Sequence, residues 1–337
     1  MKAGSVITTT FFLLHCLLVL SEDIDLDGNH LHFGFYNKTC PQVETITRLV
    51  VAQAVNKNAG VAAGLIRLHF HDCFVNGCDA SILLDATPSG EPVEKEATGN
   101  YKSLRGLEVI DEIKARVEQF CPGIVSCADI LAFAARDAAV IVGLIPYKVP
   151  AGRRDGRSSR AADAATELPK PTATVDELTK LFARKGLSQE EMVTLSGAHS
   201  IGVAHCPTFA YRLYKYSPTV LQDPSLDYIF ASYLKVSCPM PGTFMADYFS
   251  EATIPFDQAS PTTLDNKYYL GLKLGRGLLE SDQALMKDRN TSKIVEEFSL
   301  NPTSWSQKFG RAMTRMGRIE VLTGNLGEIR NYCRLVN

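Results

Sequence analysis

The chain has 337 residues, 45% of them apolar and 21% charged, so it can bury one large core or two small lobes that share a core. Its 35 basic and 37 acidic residues give a formal charge of −2, which excludes a strong positive field that would direct it to nucleic acid. No stretch beyond the N-terminal run is long and uncharged enough to span a membrane, so no membrane association is expected of the mature protein.

The first 29 residues are predicted to be a secretory signal peptide. Lys2 precedes the apolar run FFLLHCLLVL at 11–20, and that run is too short to cross a bilayer. We expect cleavage between about 21 and 30, which leaves a mature domain of about 30–337; an uncleaved N-terminal anchor is the alternative.

Cysteine usage agrees with export. One of the nine cysteines, Cys16, lies in the signal segment, and an even set in an exported chain predicts four disulfides rather than eight free thiols. The eight remaining cysteines are Cys40, Cys73, Cys78, Cys121, Cys127, Cys206, Cys238 and Cys333.

Acceptor triplets for N-glycosylation begin at Asn37 and Asn290. They fit an exported protein.

The segment Arg67–Cys73, RLHFHDC, is the densest group of chemically active residues. In a helix, Arg67 and His71 would share one face and His69 would turn away, giving one base beside one cation. In a strand, all three would point the same way, as in a metal-dependent hydrolase. The Ala-rich approach at 52–66 favours the helix, although a hydrolase and a purely structural histidine stay open on these residues alone.

The loop after this segment has the oxygen-rich composition of a calcium site. Calcium needs six to eight oxygen ligands, which two carboxylates, a hydroxyl and several carbonyls can supply. A solvated turn is the alternative, and a short disulfide between Cys73 and Cys78 would close the loop. The candidate ligands are Asp72, Val75, Gly77, Asp79 and Ser81.

Further helices follow along the chain. Apolar residues recur every three or four positions over 104–120, from Leu104 to Phe120, and a second helix is predicted over 126–142. Capping boxes that begin at Thr174 and Ser188 predict two more helix starts. The passage 146–171 is rich in Pro, Arg and Gly and is predicted to be a long connection between two lobes.

A second histidine, His199, lies in the small-residue segment Leu195–Ser200, LSGAHS. Small neighbours would let a flat cofactor approach the backbone closely, and a buried core histidine is the alternative. On this segment alone the two interpretations are equal.

At this point the sequence resembles a known family, the class III (secretory) plant haem peroxidases. The segment Arg67–Leu84 is similar to the family's distal motif, and the resemblance extends over essentially the whole mature chain. The hydrolase then becomes a remote alternative. The other similar segments are VSCAD at 125–129, GRRD at 152–155, LSGAH at 195–199, DNKYY at 265–269, SDQ at 281–283 and NYC at 331–333.

The resemblance implies a mainly α, two-lobed helical fold with haem b between the lobes. The distal lobe would span about 30–170 plus the C-terminal segment, and the proximal lobe about 171–305. It assigns catalysis to His71, Arg67 and Asn100, where Asn100 accepts the other ring proton of His71. On the other side, His199 would ligate the haem iron and Asp282 would support it, while Phe70 would contact the cofactor.

The resemblance also implies four disulfides and two calcium ions. It pairs Cys40–Cys121, Cys73–Cys78, Cys127–Cys333 and Cys206–Cys238. It gives the distal calcium the loop ligands named above, with Glu94 reaching the ion through water. The proximal calcium would take Ser200, Asp257, Ser260, Thr263 and Asp265. Among these ligands, Ser200 and Ser260 occupy positions where the family often has threonine.

The implied activity is reduction of hydrogen peroxide to water with one-electron oxidation of small phenolic donors through ferryl haem intermediates. Pro169 matches the residue that binds the donor at the haem edge. A non-catalytic haem and calcium scaffold is the alternative, but it would not need this acid–base set. A monomer in the extracellular space or cell wall is expected. Departures from well-known members fall at Thr98, Tyr147, Thr172 and Thr208.

Overall fold

The computed structural model describes residues 31–243 and 251–337, so the predicted signal peptide at 1–29 lies outside the described residues. The described part is mainly helical, with short 3-10 turns and one antiparallel pair of strands. None of these helices is long and apolar enough to cross a membrane. The α-helices are α1 Val43–Lys57, α2 Gly60–Phe74, α3 Leu107–Phe120, α4 Cys127–Ile141, α5 Ala161–Glu167, α6 Val175–Arg184, α7 Gln189–Ser196, α8 Tyr211–Tyr214, α9 Tyr228–Ser237, α10 Lys267–Lys273, α11 Glu280–Ala284, α12 Arg289–Leu300 and α13 Pro302–Met316, and the strands are β1 Val203–His205 and β2 Thr253–Pro255.

Helix α4 is the centre of the larger core. Ser126 caps it by accepting a hydrogen bond from the Asp129 amide, and every residue from Cys127 to Ala139 is buried. Its many alanines let α1, α2 and α3 approach closely. The predicted helix at 126–142 is therefore confirmed and lies beneath α2, which carries Arg67 and His71.

The predicted helix at 104–120 is present but begins later. Gly106 adopts a left-handed φ of +90°, and α3 starts at Leu107. Ile110, Ile113 and Val117 are buried as the spacing predicts, whereas Phe120 is 64% exposed. Phe120 is the last residue of the helix, beyond the last buried turn, so its place in the apolar period does not bring it into the core.

Both predicted capping boxes are confirmed. The Thr174 hydroxyl accepts a hydrogen bond from the Glu177 amide, and the Glu177 carboxylate accepts one from the Thr174 amide. Ser188 and Glu191 make the same reciprocal pair at the start of α7. These caps satisfy early amides that have no partner within the helix.

The connection 146–171 has little regular structure apart from α5, as its composition predicts. It is nonetheless held firmly, because the fully buried Arg153 pairs with Asp129 of α4 at 2.7 Å. Arg153 also donates to the Gly317 carbonyl just after α13. This passage thereby ties the centre of the larger core to the C-terminal part of the chain.

A second, smaller apolar cluster lies between Ala204 and Leu279 and contains β1, β2 and α9. The larger cluster takes in residues from both ends of the chain. Eight cysteines of the described residues form four disulfides, in the pairs that the resemblance implies. These are Cys40–Cys121, Cys73–Cys78, Cys127–Cys333 and Cys206–Cys238.

Candidate active site

The segment Arg67–Cys73 is helical, within α2, so the strand geometry of a His-x-His metal site is wrong. His69 faces the core, where its ring lies 3.6 Å from the Cys73 sulfur. Burial, reinforced by the charge of Arg153, lowers the pKa of His69 to about 3. Arg67 and His71, four residues apart, share a different face of α2.

The side chain of Asn100 determines which nitrogen of His71 carries the proton. Asn100 Nδ2 donates to the Glu94 carbonyl at 2.7 Å, which turns its Oδ1 toward His71 Nδ1 at 2.6 Å. An amide oxygen can only accept, so His71 Nδ1 must be the donor. The Nε2 atom of His71 is left with its lone pair free, as a base requires.

His71 is also kept neutral. Burial, followed by the charge of Arg67, lowers its pKa to about 3 although the hydrogen bond to Asn100 opposes the shift. Burial and the nearby Arg105 lower the pKa of Arg67 to about 10, which leaves its guanidinium charged at neutral pH. The site thus holds a neutral base beside a permanent cation.

Arg67 is bound to the same loop that orients His71. Its two terminal nitrogens donate to the carbonyls of Gly99 and Ser103 and to the Ser103 hydroxyl. Its Nε–H makes no hydrogen bond to the residues described here and can serve a substrate oxygen. The loop 99–103 therefore sets the positions of the base and the cation together.

His199 lies in a 3-10 turn, Gly197–Ser200, immediately after α7. Its Nδ1 donates to Asp282 Oδ1 at 2.7 Å, and its ring stacks on Phe256 with centroids 4.1 Å apart and an interplanar angle of 2°. The side chain is 35% exposed. With Nδ1 engaged and the ring held flat, Nε2 is the nitrogen available to a metal.

Asp282 is anchored in the first turn of α11. Its Oδ2 accepts from the Leu279 amide at 3.0 Å, and its Oδ1 also accepts from the Tyr268 hydroxyl at 2.9 Å. Burial opposes its charge, but His199 and these hydrogen bonds hold the pKa of Asp282 below its ordinary value. The carboxylate that supports His199 is therefore ionised.

The segment that follows His199 contacts helix α2. A Cβ on Gly202, three residues after His199, would lie 3.1 Å from the Cβ of Ala63. Ala63 precedes Arg67 by four residues and His71 by eight, so the three share one helical face. The segment that carries His199 thus packs against the face of α2 that carries the base and the cation.

Two further predicted residues border this region. The half-buried Phe70 contacts the ring of His71 edge-on at a centroid distance of 5.2 Å. Pro169 is also half-buried. The carbonyl of Pro171, two residues further along, accepts a hydrogen bond from the Ser281 amide at 3.0 Å, so the connection is joined to the helix that carries Asp282.

The predicted distal calcium loop brings three acidic side chains into the interior. Asp72 Oδ2 accepts from the Ala80 amide at 3.0 Å, and Asp79 Oδ1 accepts from the Ser81 amide at 3.0 Å. Both carboxylate oxygens of the fully buried Glu94 and the hydroxyl of Ser81 have no hydrogen-bond partner among the described residues. Val75 is buried in the same loop, and Gly77 adopts a φ of +94°.

This arrangement is unfavourable without a cation. Burial, then repulsion from Asp79, raises the pKa of Asp72 well above its ordinary value, and burial raises the pKa of Asp79 to about 6. Burial and the charge of Asp72 raise the pKa of Glu94 as well. Orphaned buried oxygens and clustered carboxylates fit a hard cation such as calcium. No three His, Cys, Asp or Glu side chains of the described residues lie close enough together to hold an ion directly. Direct ligands would therefore be Asp72 and Asp79 with carbonyl and hydroxyl oxygens, and Glu94 would act through water.

Four of the predicted proximal calcium residues lie in the loop that leads into α10, and the fifth, Ser200, ends the 3-10 turn that carries His199. The Ser260 hydroxyl lies 3.0 Å from Asp257 Oδ2 and 2.8 Å from Asp265 Oδ2, and its one proton is shared between these two carboxylates. The Asp265 amide donates to the Ser200 hydroxyl at 3.2 Å, directly after His199. Three side chains are thus brought together and the Ser200 hydroxyl is joined to them through the backbone of Asp265. Thr263 is exposed, and its amide donates to the Ser260 carbonyl.

Two residues that contact the proximal centre were missed by sequence reasoning. No sequence motif around Phe256 indicates a contact with His199. The stacking of the two rings follows only from the pairing of β1 with β2, which brings Phe256 close to His199. Tyr268 lies inside the segment DNKYY, but nothing in that segment indicates that its hydroxyl contacts Asp282. Both contacts join residues more than ten positions apart.

The chain is similar to known proteins over most of its length. The family model described as Peroxidase matches residues 47–301. Peroxidase 5 of Vitis vinifera is 48% identical over 321 residues, covering 95% of each chain, and Peroxidase 1 of Zea mays is 47% identical over 310 residues, covering 91% of this chain and 83% of its own. Peroxidase 15 of Ipomoea batatas is 43% identical over 327 residues, covering 95% and 98%. The chain therefore belongs to the peroxidase family, as a class III plant haem peroxidase that uses hydrogen peroxide to oxidise donor substrates.

Proposed function

We propose that this peroxidase holds one haem b between the centres of His71 and His199, and that these two histidines divide the work. The observation that carries the proposal is their matched geometry, since each ring is bound through Nδ1 by an oxygen of Asn100 or Asp282. Each Nε2 is left free, one for a proton and one for iron. A scaffold protein would have no need for this pair.

In the proposed reaction, His71 Nε2 takes a proton from one oxygen of hydrogen peroxide and transfers it to the other, which leaves as water. Arg67 stabilises the negative charge that develops on the leaving oxygen. Bound haem supplies the redox chemistry that accepts the oxidising equivalents and passes them to a donor. Asp282 increases the electron donation of His199 by accepting its Nδ1 proton in a hydrogen bond.

Two calcium ions belong to the proposal. The distal ion would be held by Asp72, Asp79 and Ser81, the carbonyls of Val75 and Gly77, and Glu94 through water. Its support is the set of buried oxygens without partners. The proximal ion would be held by Ser200, Asp257, Ser260, Thr263 and Asp265. Its support is that the Ser260 hydroxyl lies between the carboxylates of Asp257 and Asp265, while the Asp265 amide donates to the Ser200 hydroxyl.

We also propose where and on what the enzyme acts. Small phenolic donors would be oxidised in one-electron steps beside Pro169, at the edge of the haem. The signal-like segment 1–29 and four disulfides support secretion to the cell wall. The exposed Asn37 and Asn290 are available for glycosylation. A monomer suffices, because one chain contributes both histidine centres. The distal and proximal lobes would keep the boundaries given above.

The decisive experiment replaces His71 with leucine in the haem-loaded, calcium-loaded protein. Removal of the base should slow the peroxide reaction by about 100- to 10,000-fold and leave haem bound by His199. The rate is measured by stopped flow, as the change of the Soret band after one equivalent of hydrogen peroxide, and a phenol is then added to restore the original spectrum.

His69→Gln is the matched control. It alters a histidine of the same helix with the same degree of burial, but one that faces the core. Its peroxide reaction should keep the wild-type rate. A wild-type rate in His71→Leu would refute the assignment of the base. A wild-type protein that binds haem but does not respond to peroxide would favour the scaffold instead.

A further inference from the structure

Tyr268 and His199 donate hydrogen bonds to the same oxygen of Asp282. The Tyr268 hydroxyl lies 2.9 Å from Asp282 Oδ1, and His199 Nδ1 lies 2.7 Å from that atom. Tyr268 is 4% exposed and Asp282 is 3% exposed, so water does not compete for the carboxylate. The Tyr268 hydroxyl makes no other hydrogen bond to the described residues, and its donor serves Asp282 alone.

Two donors on one oxygen weaken each other. Each hydrogen bond draws negative charge from the carboxylate, and in a buried, weakly polarisable site that charge is not replenished by solvent. The charge that Asp282 can offer to the His199 ring is therefore smaller than a carboxylate with one donor would offer. Tyr268 reaches His199 electronically through Asp282.

The position of Asp282 does not depend on Tyr268. Its Oδ2 is held by the Leu279 amide at 3.0 Å in the first turn of α11. The His199 ring is held independently by its parallel stacking on Phe256. Loss of the Tyr268 hydroxyl would thus change how charge is shared and leave both side chains in place.

We propose that Tyr268 acts through Asp282 to limit the imidazolate character of His199, and so keeps the reduction potential of the haem iron above the value that Asp282 alone would set. This inference rests on the proposed role of His199 as the iron ligand. It goes beyond that role by assigning a tuning function to a residue that touches neither the iron nor the substrate.

The test is Tyr268→Phe, which removes one oxygen and keeps the ring and its edge contact with Tyr269. The Fe(III)/Fe(II) midpoint potential, measured by spectroelectrochemistry, should shift to a more negative value. The iron–histidine stretching band of the ferrous protein, measured by resonance Raman spectroscopy, should shift to a higher frequency. Both readouts report the iron–histidine bond and require no turnover.

Tyr269→Phe is the control, because it removes the same atom from the next residue of α10. Tyr269 is fully buried, and its hydroxyl donates to the carbonyls of Val193 and Thr194 instead of to Asp282. The midpoint potential and the iron–histidine stretching frequency of this variant should stay at their wild-type values. An equal shift in this variant would attribute the effect to general repacking and overturn the inference.

A double-mutant cycle tests the route. In an Asp282→Asn background, Tyr268→Phe should cause no further shift, since the carboxylate it acts through is gone. The same shift in both backgrounds, or an unchanged or more positive potential in Tyr268→Phe alone, would overturn the inference. A wild-type protein without an iron–histidine band would instead refute the proposed function, and the inference with it.

Discussion

The catalytic behaviour of His71 depends on one amide. Asn100 could present either its oxygen or its nitrogen to the imidazole, and its Nδ2 contact with the Glu94 carbonyl selects the oxygen. That choice places the ring proton on Nδ1 and the lone pair on Nε2. The chemistry of the base is thus decided two contacts away from it.

Asn100→Ala tests this dependence. Loss of the acceptor should let His71 change tautomer and orientation, so the peroxide reaction should slow by about 10- to 100-fold while haem content stays the same. The rate is read from the Soret change in stopped flow. Asn301→Ala, which removes an exposed amide bound to the Glu297 carbonyl, serves as the control. Equal rates for Asn100→Ala and wild type would show that the tautomer does not need Asn100.

At the scale of elements, the distal loop couples a cation site to the catalytic helix. Asp72 directly follows His71 in α2. The carboxylate of Glu94 lies in the acidic loop, and its backbone carbonyl accepts the hydrogen bond from Asn100. A bound cation that neutralises the three buried carboxylates should therefore stabilise the loop and keep the base, His71, aligned.

Removal of calcium should affect both properties. An ion present at 100 times its Kd adds about 2.7 kcal/mol to the free energy of unfolding, so a calcium chelator should lower Tm and slow the peroxide reaction. Calcium should restore both, and magnesium should not, because it demands a tighter octahedral shell.

Two variants assign the effect to a site. Asp79→Asn weakens the distal site, so chelation should lower the Tm of this variant by less than that of the wild type. Asp265→Asn should have the same effect through the proximal site. The measurement is differential scanning calorimetry with and without chelator. A wild-type Tm that is insensitive to chelation would contradict the proposal that the protein binds calcium.

At the scale of the whole molecule, distant parts of the chain are held together by covalent and ionic links. The Cys127–Cys333 disulfide joins residues 206 positions apart, from the start of α4 to the C-terminal segment. The buried pair of Arg153 and Asp129 joins α4 to the connection. These links hold the larger core around the helices that carry the catalytic residues.

Two disulfides outside the calcium loop, Cys127–Cys333 and Cys206–Cys238, close loops of very different length, 206 and 32 positions. If loop closure in the unfolded chain dominates, replacing Cys127 and Cys333 with alanine should cost about 1.7 kcal/mol more than replacing Cys206 and Cys238, which are 32 positions apart. The free energy of unfolding is measured in urea under non-reducing conditions. A larger cost for the Cys206–Cys238 pair would show that local packing, and not loop length, controls the stabilisation.

The sequence by itself determined the features that depend on neighbours within a few residues. The buried helix α4 and the caps at Thr174 and Ser188 follow from local period and hydrogen bonding, and the Ala-rich approach at 52–66 favoured a helix around Arg67 and His71. The resemblance of whole segments then indicated the family and the pairs formed by the eight cysteines. The helices and their caps can be predicted locally because helical geometry repeats every three to four residues.

Only the tertiary structure decided which distant groups meet. The stacking of Phe256 on His199, the hydroxyl of Tyr268 on Asp282 and the orientation of Asn100 involve contacts that no local period encodes. The exposed Phe120 shows the same limit, since an apolar period states which face a residue occupies but not where the neighbouring helices end. His199 and Asp282 are 83 positions apart. Only the packing of α7, α10 and α11 places His199 and Tyr268 on the same oxygen of Asp282.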